Sequence, residues 1–92
     1  MCRNSEEIRA DLEKVKHRLE QQNFSAKIVG GGMSQFLVAE HKGRGVEIYG
    51  TEGRVTIDPA IGDELQGEIE YPSFDHAVAA ASRWLNGFTL HA

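Results

Sequence analysis

Residues 24–58 read FSAKIVGGGMSQFLVAEHKGRGVEIYGTEGRVTID, and their hydrophobic period is two. Phe24, Ala26 and Ile28 alternate with Ser25, Lys27 and Val29; Val46 and Ile48 alternate with Glu47 and Tyr49; Val55 and Ile57 alternate with Arg54, Thr56 and Asp58. Alternation of this kind sends successive side chains to opposite faces of a strand. Phe36 and Val38 alternate with Leu37 and Ala39, so this segment is apolar on both faces and is expected at the centre of a sheet. Glycine-rich turns at 30–34, 41–44 and 50–53 connect the strands, and Asp58-Pro59 is expected to close the fourth. Leu65, Gly67, Ile69 and Tyr71 alternate with Gln66, Glu68 and Glu70, which predicts a fifth, charge-rich edge strand over 65–71.

Outward from this block the period becomes helical. Asn4 followed by Glu7 reads as a capping box, and Ile8, Leu12, Val15 and Leu19 recur at spacings of four, three and four. Pro72 and Ser73 open a second helix in which Phe74, Ala77, Val78, Ala81, Leu85 and Phe88 trace one stripe, with Trp84 at its edge and Gly87 as terminator. The prediction is a single two-layer α+β domain over 1–92, with 1–4 frayed. It consists of an N-terminal helix, an antiparallel β-meander of four or five strands and a C-terminal helix, both helices on one sheet face.

That architecture leaves the other sheet face uncovered. By alternation it is expected to carry Ser25, Lys27, Val29, Leu37, Ala39, Glu47, Tyr49, Arg54, Thr56, Gln66, Glu68 and Glu70. Val29, Leu37, Ala39 and Tyr49 would form an apolar patch ringed by charge, the character of an association surface for a partner or for a second copy of the chain.

The chain has 92 residues, 40% hydrophobic and 26% charged, with a net charge of −4 that is unevenly placed. Residues 1–45 carry eight Lys/Arg against six Asp/Glu, whereas 46–92 carry two against eight. The second half repels polyanions, which disfavours a nucleic-acid footprint there and suits a basic protein partner. No segment approaches the ~20 apolar residues that span a bilayer. The opening residues Arg3, Asn4, Ser5, Glu6 and Glu7 lack a signal-peptide apolar run, so a cytoplasmic location is expected. One cysteine, Cys2, has no internal partner for a disulfide.

Tests for chemistry return little. Gly30, Gly31 and Gly32 precede a strand, whereas a phosphate loop needs a helix whose amides meet the anion. His17, His41, His76 and His91 are scattered, with no two at metal-ligand spacing, and no serine sits in a nucleophile elbow. Glu68 and Glu70 share a strand face but lie in no recognisable cleft. No catalytic residue, metal ligand or cofactor is assigned.

The order of elements, with the closing stretch YPSFDHAVAAASRWL, is similar to that of double-stranded-RNA-binding domains. The resemblance implies an α+β scaffold and RNA contacts made by lysines that open the last helix. Those positions here are Ser73, Phe74, Asp75 and His76. Small messenger-RNA-cleaving toxins share the topology and carry a histidine after a Gly-Ser pair; in GGGMSQF the residue after Ser34 is Gln35.

The reading is a non-enzymatic protein-binding module resembling compact acidic inhibitors, such as immunity or antitoxin proteins, in general character. Steering by Asp58, Asp63, Glu64, Glu68 and Glu70 would be followed by burial of an apolar patch formed by Val29, Leu37, Ala39 and Tyr49. The alternative is a weak RNA binder using Lys27, Lys42, Arg44 and the basic part of the first helix.

Overall fold

A computed structural model describes residues 4–90; Cys2 and His91 lie outside the described residues. Helix α1 (Ser5–Glu20) is followed by strands β1 (Ser25–Val29), β2 (Phe36–His41), β3 (Arg44–Thr51), β4 (Arg54–Ile61), β5 (Glu64–Leu65) and β6 (Ile69–Tyr71), then helix α2 (Phe74–Leu85). The strands form one antiparallel sheet in the order β1-β2-β3-β4, with β5 and β6 both paired to β4. This is the expected α+β arrangement, and the apolar sides of both helices pack with one face of the sheet in a single core.

Local chemistry sets the ends of the helices. The Asn4 side chain accepts from the Glu7 N–H at 2.9 Å, satisfying a donor that has no partner within the helix. Beyond α1, Asn23 adopts φ +68°, a left-handed conformation that asparagine tolerates after a helix. At the start of α2, Ser73 accepts from the His76 N–H at 3.1 Å and Glu52 accepts from the Phe74 N–H at 2.8 Å. Arg18 of α1 pairs with Asp75 of α2 at 2.5 Å, and Gln22 donates to Ser82 at 2.8 Å, tying the helices side by side.

The C-terminal end of α2 is locked to the sheet through Trp84. Its indole N–H donates to the carbonyls of Gly45 (2.9 Å) and Ala60 (3.3 Å), while the Arg44 guanidinium lies 4.2 Å from the ring centroid. Arg44 also donates to the carbonyls of Trp84 and Phe88, capping the helix end with a cation. Trp84 is therefore a buried member of the core rather than an edge residue. Phe88 leaves the expected stripe: after Gly87 at φ +96° it is 55% exposed, with Arg83 over its ring.

Three sheet expectations need correction. The first concerns β2, whose faces are the reverse of those expected. Leu37 and Ala39 are completely buried under the helices, and Phe36 and Val38 lie on the open face. The register explains this: Leu37 pairs with Ile48 and Ala39 pairs with Val46, and both partners are core residues. A strand apolar on both sides cannot declare its face by alternation, so the pairing decides it.

Secondly, Pro59 does not end β4, which continues to Ile61. Pro59 pairs with Val46 and accepts at its carbonyl from Gln66 N–H (2.8 Å), but has no N–H to return. The pairing on this side of β4 is accordingly broken around it, with β5 beyond and β6 before. Thirdly, the expected continuous strand over 65–71 is therefore two short strands separated by Gly67 at φ +106°. Across that kink the alternation changes phase. Leu65 pairs with Ala60 on the open face and is 60% exposed, whereas Ile69 and Tyr71 pack against the core.

Urea denaturation followed by circular dichroism checks the corrected face. Leu37→Ala is expected to lose about 2–5 kcal/mol and Val38→Ala no more than about 1 kcal/mol; a larger loss at Val38 than at Leu37 would place β2 the other way round.

Candidate functional site

The uncovered face is organised in rows set by the strand register. Lys27, Val38, Glu47 and Asp58 are successive cross-strand partners on β1 to β4. One step along lie Ser25, Glu40, Gly45, Ala60 and Leu65; on the other side, Val29 pairs with Phe36 and Tyr49 with Thr56, which pairs with Glu70. Val29, Phe36, Val38 and Tyr49 are each half-buried, so an apolar strip does exist on this face. Its members on β2 are Phe36 and Val38 instead of Leu37 and Ala39.

The strip is bordered by carboxylates. Glu47 and Asp58 are direct cross-strand partners, both half-buried, and among the described residues neither carboxylate has a hydrogen-bond or ion-pair partner. Like charges placed opposite one another on a sheet are destabilising. Glu40, Asp63, Ala60, Leu65 and Val38 join them in lining a shallow groove of about 310 Å³. Glu68 accepts a short hydrogen bond from the Tyr49 hydroxyl, and Glu70 pairs with Arg54 at 3.1 Å.

Tyr49 reports the negative field at this place. Its phenol is pushed up from 10.0 to about 12, first by the hydrogen bond to Glu68, then by burial, then by the charges of Glu68, Asp58 and Glu47. Tyr71 is also raised, by burial alone.

The structure thus brings together Val29, Tyr49, Asp58, Asp63, Glu68 and Glu70 at or around one face. Leu37 and Ala39 are removed from it by burial. Glu64 pairs with Ile61, one step out of phase with the open-face residues Ala60 and Leu65. Phe36, Val38 and Glu40 join the face. Glu47, already expected there, becomes central because it pairs with Asp58. The two-residue turn between His41 and Arg44 was the sequence signal for Phe36 and Val38, since it dictates which β2 residue opposes each β3 residue.

Other groupings are less organised. His41 meets the edge of Phe24 at 5.0 Å, His76 lies 2.6 Å from Ser73 Oγ, and His17 is 3.2 Å from Gln21. Among the described residues no three His, Cys, Asp or Glu side chains are arranged to hold a metal ion. No helix among them is long and apolar enough to cross a membrane. Several cations proposed for RNA contact are engaged elsewhere: Arg44 with Trp84 and the end of α2, Arg9 with Glu13, Lys16 with Glu20 and Arg18 with Asp75. No family model, curated protein or solved structure matches this chain.

Two measurements follow from this geometry. In a Tyr71→Phe background, tyrosinate absorbance is expected to rise with a midpoint near 12, and Glu68→Ala should bring it down toward 10.0. Because the folded phenol has the higher pKa, its contribution to stability is complete below pH 10.0 and lost as pH climbs to about 12. Separately, Glu47→Gln or Asp58→Asn should raise stability by about 0.2–1 kcal/mol in a thermal melt at neutral pH, by relieving the like-charge pair. A loss of stability would mean the carboxylates are structurally required.

Proposed function

We propose that this protein is a non-enzymatic binding module whose open sheet face receives a basic segment of another protein. The observation that carries this reading is the pair Glu47–Asp58, half-buried beside an apolar strip and without a counter-ion among the described residues. A partner's lysine or arginine would supply the missing charge, and burial of Val38, Phe36 and Tyr49 would add the apolar contribution. Proteins commonly accept lower stability at a surface they use, and this pair fits that pattern.

Charge also selects among occupants. A two-fold homodimer built on this face would bring the acids Glu40, Glu47, Asp58 and Asp63 of both copies into one interface, so self-association there is opposed. RNA meets the same repulsion. The scattered Lys27 and Lys42 would supply few phosphate contacts, and Arg44 is committed to α2. Location in the cytoplasm is part of the same proposal.

Selection from a displayed peptide library tests the reading. Bound sequences should be rich in Lys and Arg, and binding should weaken as salt rises. A Glu47→Lys/Asp58→Lys variant should lose at least ~10-fold in affinity, since truncating or reversing a desolvated charge pair costs ~2–5 kcal/mol. A Glu13→Lys/Glu20→Lys variant carries the same change of net charge on α1 and should retain binding. Absence of basic enrichment, or equal losses in both variants, would refute the assignment.

A further inference from the structure

At the end of the sheet farthest from the Lys42–Gly43 turn lies a second depression, apolar in character. It has a volume of about 480 Å³ and is lined by Ile8, Met33, Gln35, Phe36, Tyr49 and Gly50, among others. Gly50, at φ +112°, pairs with Val55, and a Cβ there would collide with the Arg54 carbonyl, so position 50 contributes backbone and no side chain to the lining. Met33, 62% exposed, stands at this cavity with a flexible thioether that can adapt to an occupant.

The polar groups of two lining residues are already engaged. Gln35, itself buried, donates to the carbonyls of Ser5 (3.0 Å) and Gly32 (2.8 Å). Tyr49 gives its hydroxyl to Glu68 and so offers the cavity mainly its ring. An apolar guest therefore loses little by entering, and volumes of ~300–1,000 Å³ are those of ordinary ligand sites.

The cavity lies along the same strands as the acidic face. Phe36 and Tyr49 line it, and two residues along the same strands come Val38 and Glu47, with Asp58 opposite. Two residues further stand Glu40 and, across the sheet, Ala60, bordering the groove that contains Asp63. At ~3.3 Å per residue, the first carboxylates are ~7 Å and the second ~13 Å from the cavity row.

Resting on the reading of the open face as a site for a basic partner, we infer that the partner segment is extended and inserts one bulky apolar side chain into this cavity. Its basic residues follow at the second and fourth positions from that anchor, on one side only. The apolar anchor gives affinity, and the one-sided charge fixes the direction in which the segment lies.

Three labelled peptides, titrated by fluorescence anisotropy at low salt, test this. The first has Trp followed by Lys at the second and fourth positions; the second replaces Trp by Gly; the third keeps Trp and replaces both Lys by Glu. The first should bind at least ~10-fold tighter than the second, and the third should not bind. Amide shifts at Gly50 and Thr51 should appear with the first peptide and not with the second. Equal affinity of the first two, with Gly50 unmoved, overturns the cavity as anchor site and leaves the acidic-face reading standing. Equal binding of the first and third overturns the acidic-face reading and with it the one-sided charge. Failure of all three peptides overturns both.

Discussion

The reversal of chain direction at Lys42–Gly43 is the constraint on which the rest of the sheet depends. Both residues have positive φ, +49° and +84°, as tight two-residue hairpins require because their twist then matches that of the flanking strands. With only two residues in the loop, His41 must oppose Arg44, and every later pairing of β2 with β3 follows. Ala39 then faces Val46 and Leu37 faces Ile48, which commits those residues to the helix-covered layer and Phe36, Val38 and Glu40 to the open one. A lysine at positive φ carries a steric penalty of roughly 1–2 kcal/mol that glycine avoids, so the turn is held by the ladder it organises.

The elements whose pattern had one clear period were legible in the sequence. Ile8, Leu12, Val15 and Leu19 sit at helical spacing and are all buried, and Val46, Ile48, Val55 and Ile57 alternate and are all core residues. In FLVA both phases are apolar, so alternation does not declare which face of β2 is buried. The turn chemistry held the answer. The edge beyond β4 was less legible, because Pro59 acts through a missing hydrogen-bond donor and Gly67 through a change of phase, and neither effect appears in hydrophobic period. Both effects bear on the candidate site, where alternation alone points to Leu37 and Ala39 and the register instead presents Phe36, Val38 and Leu65.

Placing both helices on one face gives the two faces different energetic roles. Under the helices, Leu12, Leu19, Leu37, Ile48 and Ile57 exclude water, and buried apolar area supplies the stability of a chain this short. The open face contributes less to folding, which frees its residues from packing constraints. There the chain keeps two facing carboxylates that oppose stability, while the turn-facing end of α2 is held by Arg44, Trp84 and two strand carbonyls.

The distribution of cations then explains the asymmetry between faces. Arg9, Lys16 and Arg18 are paired along or between the helices, and Arg44 lies over Trp84 at the end of α2. Each is held on the helical side or at its margin, where it offsets acids or helix-end carbonyls. On the open face, Arg54 pairs with Glu70 at the edge, and Lys27 stands on β1 with Val38 between it and Glu47. Among the described residues the Glu47–Asp58 pair is thus left without a neutralising group, in a surface where the neighbouring apolar side chains lower the polarity around it. A ligand that brings positive charge and excludes water there gains more from each charge than it would at a fully exposed acid, because Coulomb attraction strengthens as the surrounding dielectric falls.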